Sequence, residues 1–284
     1  MLKTTEIDDK LTLTEREFEQ ISEMVYNHCG INLHDGKKEL VRSRLAKILR
    51  QRQFHSFSHY MDYVASDSSG QAFSELIDSL STNLTSFFRE AIHFEYLATV
   101  YLPELIAQRK DANQLRLRGW SAGCSSGEEP YSIAITMLEA LHDRSRWDVK
   151  LLASDISTRI LHRAREGVYE HERIAPVSAA LKNRYLIQRK HRDQKRYEVA
   201  PALRQLIVFK YVNLMEEWPF RGPFDFIFCR NVMIYFDKPT QQRLINRFCQ
   251  VLAPGGILFT GHSESLTGIR HNFRYVQPTI YKKG

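Results

Sequence analysis

The sequence predicts an α/β protein: a doubly wound, mostly parallel sheet, preceded by an all-helical segment and interrupted by a small antiparallel β insertion. Three observations carry this. Residues 1–82 repeat apolar positions at helical spacing, with helix start and stop signals around them. From about residue 100, short apolar runs alternate with amphipathic helical stretches, the grammar of a parallel sheet with crossover helices. Residues 168–204 break that alternation with polar, basic sequence holding two candidate small strands, RYLIQR and KRYEV.

In chain order, Thr14 offers an N-cap with Glu17 three residues on, the pattern of a capping box. Phe18, Ile21 and Val25 follow at helical spacing, and Gly30 ends the run. Residues 37–52 (KKELVRSRLAKILRQR) read as a second helix. Leu40, Val41, Leu45, Ile48 and Leu49 share a stripe, opposite Arg42, Lys47 and Arg50 on the solvent side. Arg44 points within the apolar stripe, as a snorkelling stem would. Two more helices are expected around 56–66 and 71–82, separated by SDSSG. LRLRGWSA (115–122) alternates like a strand and runs into GCSSGEEP, where Pro130 suits the first turn of a helix. VKLLASD (149–155) is the next strand, followed by the helix STRILHRAREG, which Gly167 ends. LIVFKYV (206–212) and FDFIFCR (224–230) are short strands, the second apolar enough to be buried on both faces. A helix from Lys238 to Leu252 carries Pro239 in its first turn, and PGG (254–256) stops it before the strand GILFTGH. FRYVQPTIYKK closes the chain as a hairpin and makes the late antiparallel addition.

Composition narrows the class. The 284 residues are 43% hydrophobic and 26% charged, which excludes wholesale disorder and leaves enough apolar material for one large or two modest cores. No run approaches the ~20 apolar residues that span a bilayer, and MLKTTEIDDK is too polar for a signal peptide. A cytoplasmic protein is expected. Cys29, Cys124, Cys229 and Cys249 lie far apart without CxxC or zinc-like spacing, so reduced thiols and no metal are expected. The formal charge of +7 is unevenly spread: residues 37–52 and 182–196 carry +6 each, leaving the remainder at −5. Two basic patches on an acidic body suit directed recognition of an acidic partner.

Ligands of such a sheet bind beyond the carboxyl ends of its central strands, where the strand order switches. The loops there are SAGCSSGEE, ASDIS, VNLME, CRNVMIYFD and TGHSES. The first has Gly123 and Gly127 but is not GxGxxG, and its Glu128-Glu129 pair opposes a pyrophosphate. Small residues still let a ligand approach the backbone, and Asp155, ending the next strand, suits ribose hydroxyls. A nucleoside bearing positive charge fits both facts, and S-adenosylmethionine is such a ligand; a glycine-containing turn after a strand can also be only a turn.

The run NLTSFFRE (83–90), then WSAGCSSGEEPYSIA, ASDIS, VNLME, FDFIFCRNVMIYFD and GILFTGHSES, in this order, resembles the chemotaxis receptor methyltransferase (CheR) family from about residue 13 to the final hairpin. The resemblance implies a Rossmann-like S-adenosylmethionine-dependent methyltransferase domain over 101–284, with a β-subdomain at 168–204. It implies a helical receptor-recognition domain over 1–82, joined through a linker at 83–100 that enters the active site. The implied activity is methyl transfer to glutamate side chains on the cytoplasmic helices of chemoreceptors, with S-adenosylhomocysteine as product. Residue by residue, it puts Asn83, Thr85 and Arg89 over the cofactor and catalytic centre, and Gly123 in the loop beneath. Glu129 and Asp155 match acidic cofactor contacts; Asn213-Leu214 and Asn231-Val232 match contacts to the adenine end and the cofactor's backbone side. Tyr235 matches a tyrosine near the reacting methyl, and Arg89 has two candidate partners, the incoming glutamate or the cofactor's own carboxylate. Lys37, Arg44, Lys47 and Arg50 match or neighbour positions that dock acidic receptor helices, while the basic β-subdomain offers itself to a receptor tail or regulator, or is a solvated hairpin tip.

Two other functions would share this fold. A nucleic-acid methyltransferase would use both basic patches, but the chain lacks (D/N)PP(Y/F) and a catalytic PC motif, so no nucleic-acid partner is expected. A non-catalytic regulator would bind the cofactor without transferring its methyl; Arg89 and Tyr235 argue against that. A monomer is expected.

Overall fold

The protein is described from a computed structural model covering residues 11–191 and 194–284. The polar start MLKTTEIDDK and the tip Arg192-Asp193 of the second basic patch lie outside the described residues.

Four helices come first: α1 Glu15–Cys29, α2 Lys38–Arg52, α3 Phe57–Ser66 and α4 Gln71–Leu80. The capping box of α1 is made as expected. Thr14 Oγ1 accepts from Glu17 N at 3.2 Å, and Thr14 N donates to the Glu17 carboxylate at 2.9 Å. Gly30 ends α1 at φ 73°, and a Cβ there would meet Met215 Cγ at 2.9 Å, so glycine lets the helical segment sit close against Met215 and Thr240. The stripe of α2 is narrower than expected: Val41, Leu45, Ala46 and Leu49 are buried, while Leu40 is 40% exposed. One residue ahead of Val41, it is rotated about 100° off the buried line, toward a cleft.

The stretch after residue 90 is helical where the sequence suggested only a linker. Helix α5 Ala91–Tyr96, a π turn at Leu97–Tyr101 and α6 Leu102–Asp111 follow without a break. Then come β1 Arg116–Ala122, α7 Glu128–Ala140, β2 Asp148–Asp155 and α8 Thr158–Glu166. The insertion holds β3 Val168–Glu170, α9 Ala179–Tyr185, β4 Leu186–His191, β5 Gln194–Val199 and α10 Pro201–Arg204. The chain ends with β6 Ile207–Tyr211, β7 Phe224–Cys229, α11 Lys238–Val251, β8 Leu252–Thr260, β9 Phe273–Gln277 and β10 Ile280–Lys283.

The seven-stranded sheet has the order β6-β2-β1-β7-β8-β10-β9, and β3-β5-β4 form the separate small sheet. All pairs from β6 to β8 are parallel, and the hairpin adds antiparallel through β10. Strand order reverses between β1 and β7. Strand β7 is buried throughout. Phe226 and Phe228 pack into one apolar layer and Ile227 and Cys229 into the other, the period of two that a strand covered on both faces requires. PGG does not precede β8 but lies inside it. Leu252 already pairs with Phe224, and the register slip before Phe226–Ile257 absorbs the extra residues as a bulge. A third apolar layer, around Ile21, Leu45, Phe57 and Leu76, is the core of α1–α4.

Candidate active site

A cleft of about 390 Å³ opens over the carboxyl ends of β1, β2 and β7, between the sheet and the first helices. Every residue expected to hold the cofactor or act in catalysis lines it: Asn83, Thr85, Arg89, Gly123, Glu129, Asp155, Asn213, Leu214, Asn231, Val232 and Tyr235. Lys37 and Arg44 also line it, but Lys47 and Arg50 do not; both are exposed on α2.

The floor is built by backbone. Gly123 N and Cys124 N both donate to Ser154 O at 2.8 Å, turning the chain sharply out of β1. Gly123 has φ +87°, and a Cβ there would lie 2.4 Å from Val232 Cγ2, so the loop is closed to larger residues and a ligand can reach its backbone. Asp155 ends β2, buried, with Oδ2 accepting from Ser125 N at 2.9 Å and Oδ1 from Ser157 N at 3.0 Å. Glu129, in the first turn of α7, accepts from Ser121 Oγ at 2.7 Å and faces Arg230 Nε at 3.6 Å. Burial pushes the carboxyls of both Asp155 and Glu129 up from their ordinary range; the two amide donors oppose this at Asp155, and Arg230 and Ser121 oppose it at Glu129.

The segment 83–90 forms the roof and is held at several points. Ser125 Oγ donates to Asn83 O at 3.1 Å, Arg173 Nη1 to Thr85 O at 3.1 Å, and Phe88 N to Ser132 Oγ at 3.0 Å. Arg230 Nη2 donates to Arg89 O at 2.5 Å. Phe88 and Glu90 take positive φ, 51° and 57°, a conformation that costs a non-glycine residue of order 1 kcal/mol and persists only where surroundings impose it. Arg89 folds back to donate to Leu84 O at 2.8 Å. Arg44 donates to Leu80 O and to Thr82 Oγ1 at 2.7 Å, so its place on the apolar side of α2 is explained by capping the C terminus of α4.

The wall is the loop after β7. Asn231 sits at φ 58°, a conformation asparagine tolerates better than most residues. Buried Glu264 accepts from Gly261 N at 2.6 Å, Asn231 N at 2.7 Å, Val232 N at 2.8 Å and Ile234 N at 3.2 Å. Tyr235 belongs to the short 3₁₀ turn Met233–Tyr235, and its carbonyl accepts from Asn32 N at 2.8 Å. Asn213 is committed internally: its side chain donates to His28 O at 2.6 Å and to Glu216, and accepts from Met215 N. Its amide is therefore already partnered within the protein.

Arg230 and Glu264 were not among the candidates. Each carried a signal: an arginine directly after a buried, mostly apolar strand, and an acid just past the run GILFTGH.

The family comparisons agree along the chain. Residues 16–81 match the CheR methyltransferase all-alpha domain, and residues 83–282 match the CheR methyltransferase SAM binding domain. A chemotaxis protein methyltransferase of Borreliella burgdorferi is 42% identical over 275 residues, covering 96% of either chain. Chemotaxis protein methyltransferase 2 of Pseudomonas aeruginosa is 43% identical over 94% of this chain and 93% of its own length. The chemotaxis protein methyltransferase of Escherichia coli is 38% identical over 97% of this chain and 93% of its own.

Proposed function

The chain belongs to the CheR methyltransferase family and uses S-adenosylmethionine, and we propose that it methylates glutamate side chains on the cytoplasmic helices of chemoreceptors, the adaptation step of a chemosensory pathway. The observation that supports this most is the convergence of all the family-matched cofactor and catalytic residues on one cleft. The acids Glu129 and Asp155 and the glycine cradle at Gly123 suit a cationic nucleoside. In this reading, residues 1–82 recognise the receptor, 83–100 reach into the active site, and 101–284 carry the methyltransferase chemistry with 168–204 as a β-subdomain. Among the described residues no helix is long and apolar enough to cross a membrane, which fits work in the cytoplasm on a receptor's internal helices.

When bound, S-adenosylmethionine supplies a methyl group on a cationic sulfur. A glutamate with pKa near ~4.3 is already ionised at neutral pH, so the site needs no general base. Transfer annihilates one positive and one negative charge, so a dry cleft favours it, and the protein's contribution is alignment and water exclusion. Arg89, at the roof, positions a carboxylate rather than activating it, because a tight grip would stabilise the charge that transfer must remove. Tyr235 orients the incoming carboxylate or lines the methyl path. Tyr235→Phe should lower kcat ~10-fold with little change in cofactor Kd; equal turnover would remove Tyr235 from the chemistry. Lys37 and Arg44 at the cleft and Lys47 and Arg50 on the outer face of α2 form the docking surface for an acidic helix. The β-subdomain patch is assigned to an acidic receptor tail or regulator. Replacing the acceptor glutamates of a receptor fragment by alanine should abolish transfer; undiminished transfer would place the acceptor elsewhere.

A further inference from the structure

Behind the cleft lies a buried polar chain that the reaction itself does not use. His93, on α5, is fully buried, with Nε2 2.7 Å from Thr279 Oγ1 in the turn between β9 and β10. Its other nitrogen, Nδ1, faces Glu90 Oε2 at 3.5 Å. The same Glu90 oxygen faces Arg230 Nε at 3.5 Å, and Arg230 Nε faces Glu129 Oε2 at 3.6 Å. Arg230 is itself buried, its guanidinium over the rings of Phe94 and Phe228. Among the described residues, His93 Nδ1, Glu90 Oε2 and Arg230 Nε and Nη1 make no hydrogen bond, so these contacts at 3.5–3.6 Å are electrostatic. A buried guanidinium is costly to leave unpaired, and here it stands between two carboxylates.

We propose that His93 is a positioning residue for cofactor binding: acting through Glu90, it fixes the guanidinium of Arg230 and thereby leaves Glu129 directed into the cleft. In this arrangement His93 is the tautomer protonated at Nδ1. Glu90 as a carboxylate only accepts, so Nδ1 carries the proton toward it. Thr279 has one hydroxyl proton and two acceptors in reach, Pro278 O at 2.6 Å and bare Nε2. Burial, with Arg230 and His262 nearby, drives the His93 pKa down to about 3, so the ring is neutral, with one nitrogen donating and the other accepting. With Glu90 held by His93, Arg230 is shared between two carboxylates. Without it, Arg230 turns fully to Glu129 and neutralises the acid assigned to the cationic cofactor.

A metal reading of the same place is weaker. Glu90, His93 and His262 bring one ligand atom each within 4.8 Å of one another. However, the Glu90 oxygen they would share already faces Arg230, and a divalent ion would sit beside that fixed positive charge.

The inference rests on Glu129 being a cofactor contact, and the test separates the two. Binding of S-adenosylmethionine and S-adenosylhomocysteine to the full chain is measured by calorimetry, and initial rates give KM and kcat. His93→Ala should raise cofactor KM and Kd about tenfold, with a smaller fall in kcat. His93→Asn, whose amide lies near the place of Nδ1, should recover most of the loss; His93→Gln, which reaches toward Thr279 instead, should not. Glu90→Gln should match His93→Ala, and the double variant should be no worse than Glu90→Gln alone. Rescue by His93→Gln but not His93→Asn, additive losses, or one equivalent of zinc in the purified wild type would overturn the proposal. If His93→Ala fails to fold, the Asn and Gln variants decide. Wild type that binds neither ligand overturns the underlying cofactor reading; wild type that binds while all variants bind equally overturns this proposal alone.

Discussion

Asp155→Ala is expected to weaken S-adenosylmethionine binding roughly 100-fold, the largest loss of any single cleft substitution. A charge-assisted hydrogen bond to a ligand contributes about 1.5–3 kcal/mol. Asp155 also accepts the amides of Ser125 and Ser157, so its removal frees the glycine loop as well as the ligand. Asp155→Asn keeps the shape and loses the charge, so it should fall between alanine and wild type. A pH dependence follows. Burial raises the carboxyls of Asp155 and Glu129, so each loses its charge at a higher pH than an exposed acid would. Cofactor affinity should therefore fall on acidification at a higher pH than that at which ordinary carboxylates titrate. Calorimetry across pH checks both; an unchanged Kd for Asp155→Ala would remove Asp155 from the ligand.

The second large effect belongs to Glu264. Its carboxylate accepts four backbone amides from Gly261 and the 231–234 turn. Alanine would leave those donors buried without acceptors, at roughly 1–3 kcal/mol each before water enters and the loop relaxes. A net loss of about 4 kcal/mol lowers Tm by roughly 8–16 °C at this chain size. Because the same turn carries Asn231, Val232 and Tyr235, cofactor binding should fail below the melting transition. Thermal unfolding and calorimetry on one sample check this. Wild-type Tm with wild-type Kd would show that the turn holds itself.

Much of this architecture was legible in the residues because it follows local rules. The capping box at Thr14, Gly167 after α8 and the mostly apolar, fully buried β7 each specify their element within a few positions. The misreadings came from contacts distant in sequence. Leu40 belongs to the helical stripe by spacing, yet the buried line passes one position later because the helix turns that side to the cleft. PGG reads as a helix stop, but pairing with Phe224 draws it into β8. Within the site, the loops at the strand ends announced Gly123, Glu129 and Asp155, since topology alone puts such loops together. Arg230, Glu90 and His93 stayed hidden, because their pairing joins α5, β7, α7 and the final hairpin, segments far apart in sequence. Asn213 shows the converse: it lines the cleft, but its side chain is already used in holding the first helices.

The most direct test of protein-glutamate methylation is to incubate the full chain with methyl-labelled S-adenosylmethionine and a chemoreceptor cytoplasmic fragment, then raise the pH. The expected result is label on the fragment that is released as methanol by base, the signature of a glutamyl ester. Base-stable label, label on added nucleic acid, or saturable cofactor binding with no transfer at all would contradict it.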